Sequence, residues 1–201
     1  MASPVQLGIP GLSLEVGDHV CAFYRGAGER DAILQSYLAA GLRAGDKCVC
    51  VLDDADPDVL LEWLRNDVEP DSSAAGQLDV RVSQYTYLLG GRFSTAAMLA
   101  FWDQVVGAAI SGGYHFSRAV GEMTWALRQM PGVEELVGYE AELNYFLPRY
   151  PQVILCLYDL ERFNGEILVD ILKTHPTVLV GGMVLDNPYY LEPEEFLAAR
   201  R

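Results

Sequence analysis

Short apolar runs closed by polar residues alternate along this chain with longer stretches in which apolar positions recur every three or four residues. The first run, His19-Val20-Cys21-Ala22-Phe23-Tyr24, follows Gly17-Asp18 and gives way to Arg25-Gly26-Ala27-Gly28-Glu29-Arg30; it reads as a buried strand, a glycine turn and the start of a helix. Ile33, Leu34, Tyr37, Leu38 and Leu42 keep a helical spacing up to a stop signal between Gly41 and Gly45. Residues 47–52, apolar and closed by Asp53-Asp54, complete a strand–helix–strand unit. Asp56 as cap and Pro57 as first helical residue then open a helix whose apolar face is Val59, Leu60, Trp63 and Leu64.

The polar segment 69–77 reads as a loop, and 78–82 as a third strand running into Gln84-Tyr85-Thr86-Tyr87. After Gly90-Gly91, Ser94 or Thr95 caps a long helix through Leu99, Trp102, Val105, Val106 and Ile110. A fourth strand over 116–123 ends with Glu122 as its last polar residue, and 125–131 is a short irregular or helical piece. Leu136, Tyr139, Leu143 and Phe146 line one side of a helix over 134–146 that Pro148 and Pro151 stop. Residues 153–158 form the clearest buried strand, closed by Asp159; 165–172 is a helix, and 177–184 a sixth strand bent at Gly181-Gly182. Strands and helices alternating in this way predict an α/β fold, a mainly parallel sheet with helices on both faces and right-handed crossovers.

Charge narrows the function classes. The chain of 201 residues carries a net charge of -14 with only 14 lysines and arginines, so it lacks the basic surface that neutralises nucleic-acid phosphates or docks on an anionic membrane. No stretch approaches the ~20 apolar residues of a membrane span, and residues 1–20 have neither the basic nor the apolar part of a secretory signal. Cys21, Cys48, Cys50 and Cys156 all fall inside apolar strand-like runs, which points to a reducing, cytoplasmic setting.

In a parallel sheet, ligands bind beyond the carboxyl ends of the strands. Those ends are Tyr24-Arg25, Asp53-Asp54, Gln84-Tyr85, Glu122 and Tyr158-Asp159, with Arg30 in the first turn of the following helix and Trp125 just past Glu122. Tyrosines, a tryptophan and carboxylates suit a small organic molecule better than a polyphosphate. A phosphate loop would end in Gly-Lys-Ser/Thr, and the corresponding residues here are Gly28-Glu29-Arg30. His19 and Cys21 point to the same side of their strand and are the two candidate metal ligands, although a buried structural pair is the stronger reading and a redox-sensitive Cys21 a third. No Gly-x-Ser-x-Gly or His-Glu-x-x-His motif supports hydrolysis. Glu122 with Asp159 is the one carboxylate pair that could do acid/base work, and His175 is placed to hold the end of its helix through the last carbonyls. No cofactor is identified by the sequence.

Five motifs in order, Gly17-Asp18-His19-Val20-Cys21 with a Glu-Arg helix start, Gly121-Glu122-Met123-Thr124-Trp125, Cys156-Leu157-Tyr158-Asp159, Thr174-His175-Pro176, and Gly181-Gly182 with Asn187-Pro188-Tyr189-Tyr190, resemble the MEDS domain, the sensory domain of DcmR-type regulators. The resemblance covers 15–192, leaving 1–14 as an irregular lead-in and 193–201 as a C-terminal tail. It implies a three-layer RecA/KaiC-like fold with a degenerate P-loop at Gly26–Arg30, a characteristic His19/Cys21 pair, Glu122 at the end of the former Walker B strand, and sensing of small hydrocarbon derivatives. Such domains are usually joined to an output domain. The expectation is therefore a non-enzymatic cytoplasmic sensor that binds a small ligand through His19, Cys21, Tyr24, Arg25, Arg30, Glu122, Trp125, Tyr158 and Asp159. It signals to a separate regulatory protein, such as a histidine kinase or an anti-sigma-type protein, and its acidic surface is compatible with a homodimer. The rival expectations are an interaction module that has lost its ligand site and a residual nucleotide-hydrolysing enzyme.

Overall fold

The computed structural model describes residues 5–6, 13–67 and 76–200. Seven strands form one sheet: β3 (His19–Tyr24), β4 (Lys47–Leu52), β5 (Leu78–Val82), β6 (Ser117–Glu122), β7 (Gln152–Asp159), β8 (Thr177–Val180) and β9 (Met183–Asp186). Their order is β5-β4-β6-β7-β3-β8-β9, all parallel except β9. The opening strand is thus central, with β7 on one side and β8 on the other; Cys21 stands opposite Cys156 and Tyr24 opposite Asp159.

Side-chain alternation along β3 assigns its two faces. Val20, Ala22 and Tyr24 pack with Leu34, Tyr37 and Leu38 of α1 (Gly26–Ala44) and with Leu60 and Leu64 of α2 (Pro57–Asp67). Cys21 and Phe23 join Trp102 of α3 (Thr95–Ser111), Tyr139 and Leu143 of α4 (Leu136–Phe146) and Ile171 of α5 (Gly165–Thr174). Helices therefore cover both faces of the sheet, giving three layers. Strand bodies are buried on both sides, which is why they read as continuous apolar runs and not as alternating ones.

Several local expectations change. The sixth strand does not bend at Gly181-Gly182 but turns back: both glycines have positive φ, +57° and +74°, as a two-residue type I′ turn requires, so β8 and β9 form an antiparallel hairpin with Val180 opposite Met183. Residues 193–199, expected as tail, form α6 (Pro193–Ala199), opened by its proline and anchored by buried Phe196. The third strand ends at Val82 as expected, and the segment it runs into opens with a 3-10 turn at Ser83–Tyr85. On α2, Val59 is 60% exposed, and the buried face is Leu60 with Leu64. Within the lead-in, Val5–Gln6 (β1) and Ser13–Leu14 (β2) pair antiparallel; its remaining residues, and most of the loop expected at 69–77, lie outside the described residues.

Candidate functional site

The carboxyl ends of the strands carry a network of paired charges. Glu122, at the end of β6, is fully buried; its Oε2 accepts from the backbone N–H groups of Asp53 (2.7 Å), Asp54 (2.9 Å) and Ala55 (3.0 Å), and its Oε1 lies 3.3 Å from Nη1 of Arg30. Burial pushes this carboxyl above its usual range, against those N–H groups and the Arg30 charge. Arg30 also donates from Nε to Asp31 at 2.8 Å. Asp53 accepts from the Ser83 hydroxyl, from Thr124 Oγ1 at 3.0 Å and from Arg128 Nη2 at 2.6 Å, while Asp54 pairs with Arg162. Asp159 is turned to its own chain, accepting from the N–H of Glu161 at 2.9 Å, so Glu122 and Asp159 are held by different partners and not by each other.

Tyr24 sits in the middle of this network. Its hydroxyl is buried and has no hydrogen-bond partner among the described residues. Burial pushes the phenol upward, and the nearby Glu122 and Asp159 add to the effect, partly opposed by Arg30 and Arg162.

Arg25 alone separates β3 from α1, so Gly26–Arg30 is the first turn of the helix and not a loop in front of it. Gly26 takes a positive φ of +66°. The exposed Arg25 donates its backbone N–H to Oε2 of Glu29 at 2.7 Å, and this side chain therefore occupies the helix N-terminus where a bound anion would be held.

The other half of the expected ligand site lies on the opposite face of the sheet. His19 is five residues before Tyr24, an odd spacing that puts the two on different sides. His19 faces Glu140 of α4, with Nε2 to Oε2 at 3.2 Å, and Cys156 of β7, with Nε2 to Sγ at 3.5 Å. Tyr158 donates its hydroxyl to Oε1 of Glu140. His175 places Nε2 at 3.6 Å from Glu140 Oε2. All five residues are buried. Burial lowers both imidazoles to about 3, so both are neutral, and pushes the Glu140 carboxyl up against the opposing pull of His175, Tyr158 and Cys156.

The thiol brought to His19 is thus that of Cys156, and Cys21 stands beside Cys156 across the strand pair. Cys21 is fully buried, and burial together with Glu140 pushes its thiol far upward, the opposite of an exposed reactive cysteine. Trp125 belongs to neither half; it is stacked in the core between Tyr87 (4.8 Å) and Phe93 (4.6 Å). His19, Tyr24, Arg30, Glu122, Trp125 and Tyr158 do not form one clasp, because strand alternation divides them. Glu140, absent from the expected set, has a readable signal: it lies four residues after Leu136 and three before Leu143, so a carboxylate sits on the apolar stripe of its helix.

Comparison with known proteins places this geometry. The family profile described as MEthanogen/methylotroph, DcmR Sensory domain matches residues 18–176, which span β3 through the end of α5. The chain belongs to the MEDS family. Over 170 residues it is 32% identical to the transcriptional repressor DcmR of Methylorubrum extorquens, a match covering 83% of this chain and 61% of the repressor. The family is described as a sensory domain, and the chain spans about three-fifths of the repressor it matches.

Among solved structures the MEDS fold is similar to a KaiC-like protein of Pyrococcus horikoshii, with a TM-score of 0.63 at 15% identity, covering 88% of this chain and 79% of that one. It is also similar to the flagellar accessory protein FlaH of Methanocaldococcus jannaschii, with a TM-score of 0.58 at 10% identity, covering 90% and 83%. At these identities the likeness establishes the KaiC-like, RecA-like α/β fold. Among the described residues no helix is long and apolar enough to cross a membrane.

Proposed function

We propose that this MEDS domain is a non-enzymatic sensor that takes a small organic ligand at the carboxyl ends of β3, β4 and β6 and passes its state to a separate regulatory protein. The observation that carries this reading is the Tyr24 hydroxyl, buried without a hydrogen-bond partner among the described residues, close to the charges of Arg30, Glu122 and Asp159. An unmade buried hydrogen bond costs about 1–3 kcal/mol, which a ligand oxygen placed there recovers. The family resemblance favours a hydrocarbon derivative bearing one polar group. Arg30 is already engaged by Asp31 and Glu122, and Glu29 fills the helix N-terminus, so a triphosphate finds neither of the groups that a nucleotide site uses. That supports reading Gly26–Arg30 as the remnant of a phosphate loop. Similarity to a transcriptional repressor supports control of transcription as the output, and a partner of the histidine-kinase or anti-sigma type would carry it.

Thermal-shift and native mass spectrometry with a panel of small alcohols, aldehydes, haloalkanes and ATP test this. One organic class should stabilise the chain, and Tyr24→Phe should abolish that stabilisation. ATP hydrolysis lost in Glu122→Gln, or ligand stabilisation untouched by Tyr24→Phe, would overturn the proposal.

A second reading, a docking module without a ligand, is favoured by the edge strand β9, which exposes Met183 (60%) and Leu185 (50%) along unpaired backbone groups. A homodimer or heterocomplex that forms without any ligand and is lost in Leu185→Lys would select it.

A further inference from the structure

Four side chains from separate segments converge between the sheet and α4/α5. His19 opens β3, Cys156 lies within β7, Glu140 comes from α4 and His175 follows α5, and one ligand atom from each lies within 4.8 Å of all the others. The separations are 3.2 Å (His19 Nε2 to Glu140 Oε2), 3.5 Å (His19 Nε2 to Cys156 Sγ), 3.6 Å (Cys156 Sγ to Glu140 Oε2) and 3.6 Å (His175 Nε2 to Glu140 Oε2). A tetrahedral zinc ion bound at about 2.3 Å to sulfur and about 2.0–2.2 Å to nitrogen or oxygen sets its donor atoms about 3.3–3.6 Å apart. Four of the cluster's six edges, at 3.2–3.6 Å, lie at or close to those values, and the other two, from His175 to His19 and to Cys156, are within 4.8 Å.

Hydrogen bonding around the rings aims their lone pairs inward. Nδ1 of His175 lies 2.8 Å from the carbonyl of Ile171, and a carbonyl only accepts, so the proton is on Nδ1 and Nε2 carries the lone pair. Nδ1 of His19 faces Oδ1 of Asn144 at 3.3 Å. The Asn144 amide is fixed in that orientation because its Nδ2 donates to the carbonyls of Glu140 (3.1 Å), Ala141 (3.3 Å) and Thr174 (2.9 Å). Imidazoles tethered through Nδ1 to a carbonyl, with Nε2 directed at a common point, are the usual outer support of a metal site.

A network of protons alone leaves this cluster incomplete. Cys156 and Tyr158 can each donate to Glu140, yet Nε2 of His175 is buried with no hydrogen-bond partner among the described residues. Among the described residues, the groups paired with the buried Glu140 side chain are the two neutral imidazoles, this thiol and this hydroxyl. A divalent cation with one thiolate, one carboxylate and two neutral imidazoles sums to zero charge, the condition under which ions are tolerated in an apolar interior.

We propose that His19, Glu140, Cys156 and His175 form a closed tetrahedral site for a divalent transition metal, with zinc the best match. Thiolate and imidazole donors select it over magnesium and calcium, which take oxygen ligands. On binding, the thiol proton of Cys156, and the carboxyl proton of Glu140 where present, pass to solvent; the oxidation state of the metal does not change. Because the four ligands are fully buried, the ion enters as the domain folds and fastens β3, β7, α4 and α5 together. This goes beyond the sensory reading, since the Tyr24 region lies on the other face of the sheet and does not depend on it.

The test uses the full chain. Elemental analysis after expression in zinc-replete medium should find about one zinc per chain, and His175→Ala should lower that content at least about tenfold. Replacing zinc with cobalt(II) should give thiolate-to-cobalt charge transfer with the visible bands of a tetrahedral site; folded Cys156→Ser should lose the charge transfer and Cys21→Ala should keep it. Charge transfer retained by folded Cys156→Ser, or no metal taken up by chain refolded with zinc or cobalt, overturns the proposal. If the variants do not fold, X-ray absorption on the metal-loaded unaltered chain decides: one sulfur with nitrogen and oxygen neighbours supports the site, and oxygen neighbours alone overturn it.

Discussion

Arg30, on the first turn of α1, reaches Glu122 at the end of β6 across 92 residues of sequence, with its Nη1 3.3 Å from Oε1. The pair joins the two strand ends that face the proposed ligand region. Because three backbone N–H groups already hold the other oxygen of Glu122, removal of Arg30 does not strand the carboxylate. Arg30→Met should therefore cost about 1–2 kcal/mol in chemical denaturation, below the about 3–5 kcal/mol typical of a buried ion left with no partner. A loss at the upper value would show that Arg30, and not the backbone of 53–55, is the main counter-charge of Glu122.

The same carboxyl should leave a signature in the pH dependence of stability. Burial raises its folded value above the ordinary 4.5, with the N–H groups of Ala55 and Asp53 and the Arg30 charge opposing. In the unfolded chain the proton leaves first, so between the two values the folded state binds more protons. Stability must fall as pH rises through that window and level off above the folded value. Glu122→Gln cannot ionise and should lack this component. Denaturation curves of the two chains from acid to neutral pH measure it as a difference, and a wild type that gains on the variant as pH rises would contradict the sign.

Trp102 and Tyr139 tie α3 to α4 through a buried hydrogen bond, indole Nε1–H to the phenol oxygen at 2.7 Å. Tyr139→Phe preserves the ring and its edge-on contact with Phe93 but leaves the indole N–H unpaired in an apolar core. The expected loss is about 1–3 kcal/mol with little change in secondary structure. Urea denaturation followed by tryptophan fluorescence measures it, and a loss below about 0.5 kcal/mol would mean that the indole finds another acceptor.

The mainly parallel sheet with helices on both faces was legible because fully buried parallel strands leave uninterrupted apolar runs and their helices keep a helical period. The β8–β9 hairpin was misread as a bend because a glycine pair inside an apolar run serves either purpose, and only the pairing of Val180 with Met183 decides. α6 is short, with Phe196 as its one buried large apolar side chain, too little for a periodic signal. For the site, the rule that strand ends carry ligands singled out Tyr24, Arg30 and Glu122, which do lie together. The odd spacing between His19 and Tyr24 already separated them by face. The cluster around Glu140 depends on the register of β3 with β7 and on the way α4 and α5 lie over them, contacts as distant in sequence as His19 with His175 that no local pattern encodes.

Cys21, Cys48 and Cys50 are fully buried, and burial pushes the thiol of Cys48 up to about 12 and those of Cys21 and Cys50 well above the ordinary thiol value. Neither access nor thiolate is therefore available to an alkylating agent in the folded chain. Iodoacetamide at about pH 8, where a free thiol with its pKa of about 8.5 reacts readily, should leave all three unmodified over a time in which guanidinium-unfolded chain is labelled completely. Peptide mass spectrometry reads the sites one by one. Labelling of Cys21 in the native chain at the rate of a free thiol would contradict its burial and return it to the reactive cysteines, whereas protection of all three confines any redox sensing to a state in which the sheet has opened.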